Sequence, residues 1–326
     1  MPFTDLPLDL LRDYRPEVAE PADFDEFWTS TLTEARSAAD DGDAVLVPAD
    51  TPITQFRIDD LTFPGYAGEP VKAWVVRPTG SDAAGGPLPA VIEYNGYNGG
   101  RGIAGEKTLW AAAGQVHVFM DTRGQGSGWG TGGDTPDPHG SGPAVEGFMT
   151  RGIHDPSEYY YRRLFTDAVR LVDIVRGFDF VDETRVSVTG GSQGGGISLA
   201  VAGLVPGLRA VLPDVPFLCH FRRAVEATPE APFTELVRYL AVHRDVETRV
   251  FDTLAYFDGV NFARRATAPT LFSVALMDGI VLPSTVFAAY NHYAGGDRSI
   301  EVYPYNGHEG GQMHQWVRQA AWLAQR

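Results

Sequence analysis

Arg185-Val186-Ser187-Val188-Thr189-Gly190-Gly191-Ser192-Gln193-Gly194-Gly195-Gly196 begins as a strand and ends in glycines around a single serine. Val186 and Val188 stand two apart, the spacing that puts both on one face of a strand. Ile197-Ser198-Leu199-Ala200-Val201-Ala202-Gly203-Leu204 follows as an apolar, helix-compatible run. Strand, sharp turn and buried helix form the setting in which Gly-x-Ser-x-Gly lifts a serine hydroxyl above a sheet edge. Gly190 and Gly194 leave room where a Cβ would strike the adjoining strand and helix. The start of the helix beside Ser192 favours negative charge. No Gly-Lys-Ser/Thr follows, which excludes a phosphate-binding P-loop.

On either side of this turn the chain alternates between strand-like and helix-like segments. Phe24, Phe27, Trp28, Leu32 and Ala35 keep helical spacing within a polar, partly helical extension over about 1–45. Residues 53–58 and 71–77 alternate like the arms of a hairpin, with Gly65 and Gly68 between them. A loop of small residues, 80–87, leads to a short strand over 90–94, which runs into the glycine-rich loop Asn95-Gly96-Tyr97-Asn98-Gly99-Gly100. Residues 104–113 are expected to be helical and 116–121 extended. A long Gly/Pro-rich stretch, 123–156, precedes a helix expected to start at Asp155-Pro156-Ser157-Glu158, with Asp at the N-cap and Pro at N1. After the serine turn, 210–215 is a buried strand. Residues 217–266 are richer in charge and mostly helical, and are expected to lie over the strand ends as a partial lid. Strands follow at 269–277 and 299–303, and a helix over 312–325 closes the chain. Strands alternating with helices predict an α/β fold, with a mostly parallel central sheet covered by helices on both faces. A single domain over 1–326 is expected.

The bulk numbers narrow the possible functions. The 326 residues are 44% hydrophobic and 21% charged, an ordinary globular balance with ample length for a large core. A net charge of −16 argues against a nucleic-acid or anionic-membrane surface. The cations are 24 Arg and only 2 Lys. With one cysteine, Cys219, there is no intrachain disulfide and no thiolate metal cluster. The start of the chain has neither a basic region nor a long apolar run, so a cytoplasmic protein is expected. No metal and no cofactor are expected.

Ser192, Asp278 and His308 each follow a strand, and the loops after parallel strands gather at one sheet edge. Their order along the chain is that of the α/β-hydrolases. Serine is a weak nucleophile by itself. His308 would take its proton and return one to the leaving alcohol, while Asp278 would hold the imidazole tautomer. The backbone N–H groups of Tyr97 and Gln193 would bind the oxyanion. Asp121 and Asp214 also end strands and compete for the acid role; Asp278 precedes the histidine by one strand–helix–strand unit. His308-Glu309 is not a zinc helix, because His-Glu-x-x-His needs a histidine at 312, where Gln312 stands.

These motifs resemble the acetyl xylan esterase/cephalosporin-C deacetylase family, carbohydrate esterase family 7. The resemblance rests on Asp23-Phe24-Asp25-Glu26-Phe27-Trp28, Asn95-Gly96-Tyr97-Asn98-Gly99, Arg123-Gly124-Gln125, Gly190-Gly191-Ser192-Gln193-Gly194-Gly195, Asp278 with Pro283-Ser284-Thr285, and His308-Glu309. It implies an α/β-hydrolase fold and a serine esterase that removes acetyl groups from small esters, including acetylated xylo-oligosaccharides and cephalosporin C. It also implies a homohexamer whose sites face an internal cavity that admits short substrates. Arg123 and Gln125 match motif residues expected to support the site. Two positions depart from the family pattern near the expected pocket: Asn95 where His is usual, and Leu282 where Pro is usual. The alternatives are a general short-chain carboxylesterase of the same fold and a hydrolase-fold binding protein without turnover.

Overall fold

Among the described residues, nine strands form one sheet in the order β1-β2-β3-β5-β4-β6-β7-β8-β9. The computed structural model describes residues 3–80, 86–140 and 142–326, so most of the loop expected over 80–87 lies outside it. The strands are β1 (Val45–Pro48), β2 (Phe56–Pro64), β3 (Pro70–Pro78), β4 (Leu88–Tyr94), β5 (Val116–Met120), β6 (Val181–Gly191), β7 (Ala210–Asp214), β8 (Thr270–Ala275) and β9 (Arg298–Tyr303). β1, β2 and β3 pair antiparallel, and so do β3 and β5. Every pairing from β5 through β4, β6, β7 and β8 to β9 is parallel.

The central strands are apolar because both their faces are covered. Every residue of β5 and of β8 is buried, as a parallel sheet between two helical layers requires. Alternate residues serve opposite faces. Val91, Ala210, Leu212 and Leu271 pack with Trp110 and Leu323 on one side. Their neighbours Ile92, Val211 and Phe272 belong to the larger cluster on the other.

The helices in chain order are α1 (Leu8–Arg12), α2 (Phe24–Ala38), α3 (Leu109–Ala112), α4 (Tyr160–Arg176), α5 (Gln193–Leu204), α6 (Phe221–Ala227), α7 (Phe233–Val242), α8 (Glu247–Ala255), α9 (Gly259–Ala263), α10 (Pro283–His292) and α11 (Gln312–Leu323). α2 shows how the N-terminal pattern becomes structure. Its apolar stripe buries Phe24, Trp28, Leu32 and Ala35. The Trp28 ring lies 6.0, 5.5 and 5.4 Å from those of Phe165, Phe257 and Phe262, and its Nε1 donates to the Tyr256 carbonyl at 3.0 Å. Aromatic pairs at such distances add about 0.5–1.5 kcal/mol each beyond burial.

Several boundaries differ from the sequence reading. The first hairpin arm runs over 56–64 rather than 53–58, and β1, which follows the extension over about 1–45 where no strand was expected, pairs with it. Only Leu109–Ala112 of the stretch 104–113 is helical. Gly105, with φ of +90°, and the turn around Ile103 hold the preceding residues out of the helix. α4 starts at Tyr160, not after Asp155. The Asp155 carboxylate does accept the Ser157 N–H at 2.8 Å, but it closes an isolated turn. Tyr159, at φ −64° and ψ 135°, then interrupts the helical backbone. The capping signal was real, and it terminated in a turn because Tyr159 turns inward and is fully buried.

Candidate active site

The turn from β6 into α5 carries the strain that its glycines suggested. Ser192 sits at φ 56° and ψ −117°, a conformation that β-carbon-bearing residues rarely adopt. It is held there by its own N–H, which donates to the Asp214 carbonyl (2.9 Å), and by its carbonyl, which accepts from Gly196 (3.1 Å) and Phe217 (2.9 Å). The glycines are needed for contact rather than flexibility. A Cβ on Gly194 would overlap the Tyr94 carbonyl of β4, and one on Gly190 would lie 2.5 Å from the Gly194 carbonyl carbon.

Ser192 opens into a pocket of about 530 Å³ whose other walls come from segments after several strands. Tyr97 and Asn98 come from the loop after β4, Trp129 from the long loop after β5, Pro232 and Glu235 from the segment between β7 and β8, Ile280 from the loop after β8, and His308 from the loop after β9. Asp278 is fully buried behind His308. Its Oδ2 accepts the His308 Nδ1–H at 2.9 Å, and its Oδ1 accepts the Ile280 and Val281 N–H groups, each at 2.9 Å. The carboxylate is therefore fixed by the backbone on one side and fixes the imidazole on the other. Thus Ser192 and His308 share one pocket, and Asp278 reaches it through the imidazole.

The other two strand-end acids spend their side-chain hydrogen bonds on other partners, although Asp214 also lines the pocket. Asp121 accepts the N–H groups of Arg101 (2.9 Å) and Thr122 (3.0 Å) on Oδ1, and those of Asp134 (2.6 Å) and Thr135 (2.8 Å) on Oδ2, so it organises the long loop. Asp214 accepts from Gln319 Nε2 at 2.9 Å. Burial pushes its carboxyl up to about 7, against hydrogen bonds from Ser273 and Gln319 that pull it down.

Around Tyr97 the amides are almost all spoken for. Gly96 N–H donates to Asn95 Oδ1 (2.9 Å), Asn98 N–H to Gln125 Oε1 (2.7 Å) and Gly99 N–H to the Gly96 carbonyl (3.1 Å). Among the described residues, the Tyr97 N–H between them has no acceptor. Gln193 opens α5, so its N–H has no carbonyl one helical turn back to meet. Gln125 joins the two sites, since its Oε1 takes the Asn98 N–H and its Nε2 donates to Gln193 Oε1 at 3.0 Å. Arg123 is fully buried, with Nε and Nη2 on Asp167 (2.5 and 2.8 Å) and Nη1 on Glu69 (2.8 Å). It lies among carboxylates under the loop and is not one of the lining residues.

Of the two departures from the family pattern, Asn95 lines the pocket and its amide group also donates to the Gly100 carbonyl, closing the loop on itself. Leu282 does not line it; it is buried as the N-cap residue of α10.

Sequence reasoning missed two groups. Glu93 lines the pocket and pairs with Lys107 Nζ and His117 Nε2, both at 2.9 Å. Burial raises its carboxyl, and Lys107 and His117 outweigh that to bring it to about 2. Glu235 reaches the pocket from α7, and in a charged helical segment nothing distinguishes it from a solvated glutamate. Among the described residues there is no cluster of His, Cys, Asp and Glu able to hold a metal, and no helix long and apolar enough to cross a membrane.

The acetyl xylan esterase (AXE1) family model matches residues 1–326. The chain is 38% identical to an acetyl xylan esterase from Paenibacillus sp. R4, with a TM-score of 0.91 over 98% of this chain and 99% of that one. It is 35% identical to acetyl xylan esterase 1 from Thermoanaerobacterium sp. JW/SL YS485, with a TM-score of 0.89 over the same shares. Acetyl esterase Axe7A of Xylanibacter ruminicola is 27% identical over 323 residues, and the chain spans 65% of that curated relative's length. An acylaminoacyl peptidase from Pyrococcus horikoshii shares the fold at 12% identity and a TM-score of 0.59.

Proposed function

The chain belongs to the acetyl xylan esterase family of carboxylic ester hydrolases, and we propose that it removes acetyl groups from small acetylated sugars through Ser192, His308 and Asp278. The observation that carries this reading is the strained Ser192 facing a pocket shared with a histidine whose far nitrogen is held by a buried carboxylate. In this reaction Ser192 Oγ attacks the acetyl carbonyl carbon while His308 Nε2 takes the hydroxyl proton. The negative charge passes to the carbonyl oxygen, which the Tyr97 and Gln193 N–H groups bind; removing one such donor typically costs about 2.7–4 kcal/mol. The C–O bond to the alcohol then breaks, and His308 gives its proton to the departing oxygen. Water, deprotonated by His308, attacks the acetyl-enzyme, and acetate leaves with Ser192 restored. Asp278 remains ionised throughout and stabilises the imidazolium.

The preferred substrates in this reading are acetylated xylo-oligosaccharides, with cephalosporin-C-like acetyl esters as further candidates, and no metal takes part. Acetate release from acetylated xylo-oligosaccharides and from an aryl acetate, by wild type and Ser192→Ala side by side, tests it. Wild type should turn over both, and the variant should lose on the order of 10³-fold or more. Turnover of the aryl acetate alone would keep the serine chemistry and move the substrate elsewhere. Near-normal turnover by Ser192→Ala would remove Ser192 from the mechanism.

A further inference from the structure

Three separate segments of the chain converge on one carboxylate beside the pocket. Glu235, in α7, is 6% exposed and lines the pocket wall. The Tyr97 hydroxyl donates to it, 2.7 Å from Oε1 and 3.0 Å from Oε2. The Met149 N–H donates to Oε2 at 3.0 Å. The Tyr97 hydroxyl in turn accepts the Phe148 N–H at 2.6 Å. The turn at Gly147, with φ of +113°, wraps so closely that a Cβ there would overlap the carboxylate. Loop 95–100, loop 147–149 and the helical segment between β7 and β8 therefore meet at Glu235.

We propose that Glu235 is a positioning residue for the oxyanion site, acting through the Tyr97 side chain on the Tyr97 backbone N–H. The proposal rests on the esterase reading given above. Both partners are engaged with each other and with backbone, which argues against a reacting role for either: the carboxylate accepts the Tyr97 O–H and the Met149 N–H, and the hydroxyl donates its one proton and accepts the Phe148 N–H. Tyr97 is held by the Phe148 N–H on its hydroxyl and at three further points. Its carbonyl accepts from Trp129 Nε1 (2.7 Å), its neighbour Asn98 is held by Gln125, and its ring is held by Glu235. The first two come from the long loop after β5. The third ties the oxyanion loop to the helical segment over the strand ends by hydrogen bond, beside the packing of the Tyr97 ring on Phe217, 6.1 Å between centroids. Releasing it removes the acceptor of the Tyr97 hydroxyl and leaves the ring held by the Phe148 N–H and by its contacts with Phe148 and Phe217, a looser hold that lets the peptide at Tyr97 shift. An amide displaced by about 1 Å from a developing oxyanion can cost on the order of 10²-fold in rate. The ground-state ester depends little on that donor, so the loss should fall on kcat.

The test is steady-state kinetics on an aryl acetate for Glu235→Ala, Glu235→Gln, Tyr97→Phe and the Ala/Phe double variant, with Ser192→Ala in the same assay. Inhibition by phenylboronic acid, which forms a tetrahedral adduct on an active serine, is measured alongside. Glu235→Ala and Tyr97→Phe should each lower kcat by about ten- to a hundredfold with KM within about twofold. Glu235→Gln should recover most of the rate, because its amide oxygen can accept both Tyr97 O–H and Met149 N–H. The double variant should lose no more than either single one, and phenylboronic acid should weaken in step with kcat/KM. Tyr97→Phe keeps the buried ring and so covers the case in which Glu235→Ala does not fold. Unchanged kcat in Tyr97→Phe, or a fall in kcat with unchanged boronic-acid affinity, overturns the proposal. If Ser192→Ala is dead while the Glu235 variants are normal, this inference fails and the esterase reading stands. If Ser192→Ala remains active, both fail.

Discussion

Three aspartates end strands near the site, and their hydrogen bonds separate them. Asp278 spends one oxygen on two backbone N–H groups and the other on His308. Asp121 spends both on loop amides, and Asp214 faces Gln319. Asp278→Asn should therefore fall by on the order of 10⁴-fold in kcat, as expected when the imidazole tautomer is wrong, while Asp214→Asn keeps most of its activity. The reverse result would reassign the acid. Asp214 should instead reveal itself in stability. Its folded carboxyl titrates at about 7, above its ordinary value of 3.8. Between these values the folded chain holds a proton that the unfolded chain has released. Its contribution is complete below about pH 4 and is lost as pH rises towards 7, with a slope of at most about 1.4 kcal/mol per pH unit. Urea unfolding of wild type and Asp214→Asn across that range checks this: the wild type should lose ground to the variant as pH rises. Parallel curves would mean that Asp214 titrates normally. At this scale the sequence announced Ser192, because the glycines around it have a steric reason that can be stated in advance. It could not announce Glu235, whose role is set by Tyr97 and Met149, distant in the chain.

At the scale of elements, β6, the Ser192 turn and α5 act as one unit. α5 is buried from its first residue, with Gln193 to Ala202 inside. That leaves no slack in the turn, and the close approach of Gly194 to the Tyr94 carbonyl shows why glycine is required there. Gly194→Ala should destabilise the fold by about 3 kcal/mol, the upper part of the usual overpacking range, and displace Ser192. Denaturant midpoints and ester turnover measured together would check this; an unchanged midpoint would mean that β4 gives way cheaply. Periodicity located the strands because burial on both faces demands apolar runs. It failed at 104–113 and at 155–159, where the local signals were sound and the outcome depended on Gly105 and on the burial of Tyr159.

For the whole molecule, the family resemblance implies an assembly of six chains, each of 35.4 kDa, which we carry as a proposal. Sedimentation velocity should give one species of about six chain masses, and short acetylated oligosaccharides should be hydrolysed faster than polymeric acetylated xylan. A monomer that acts equally on both would overturn that expectation. By itself the sequence determined the α/β alternation, the placement of Ser192, Asp278 and His308 each after a strand, and the small loop residues that let backbone approach backbone. These are written in local spacing and in steric rules that hold wherever the chain goes. The tertiary structure decided which strand-end aspartate faces His308, which amide of the loop after β4 has no acceptor, and that a glutamate from α7 holds Tyr97. Those outcomes depend on distances between residues far apart in the chain, which no local pattern encodes.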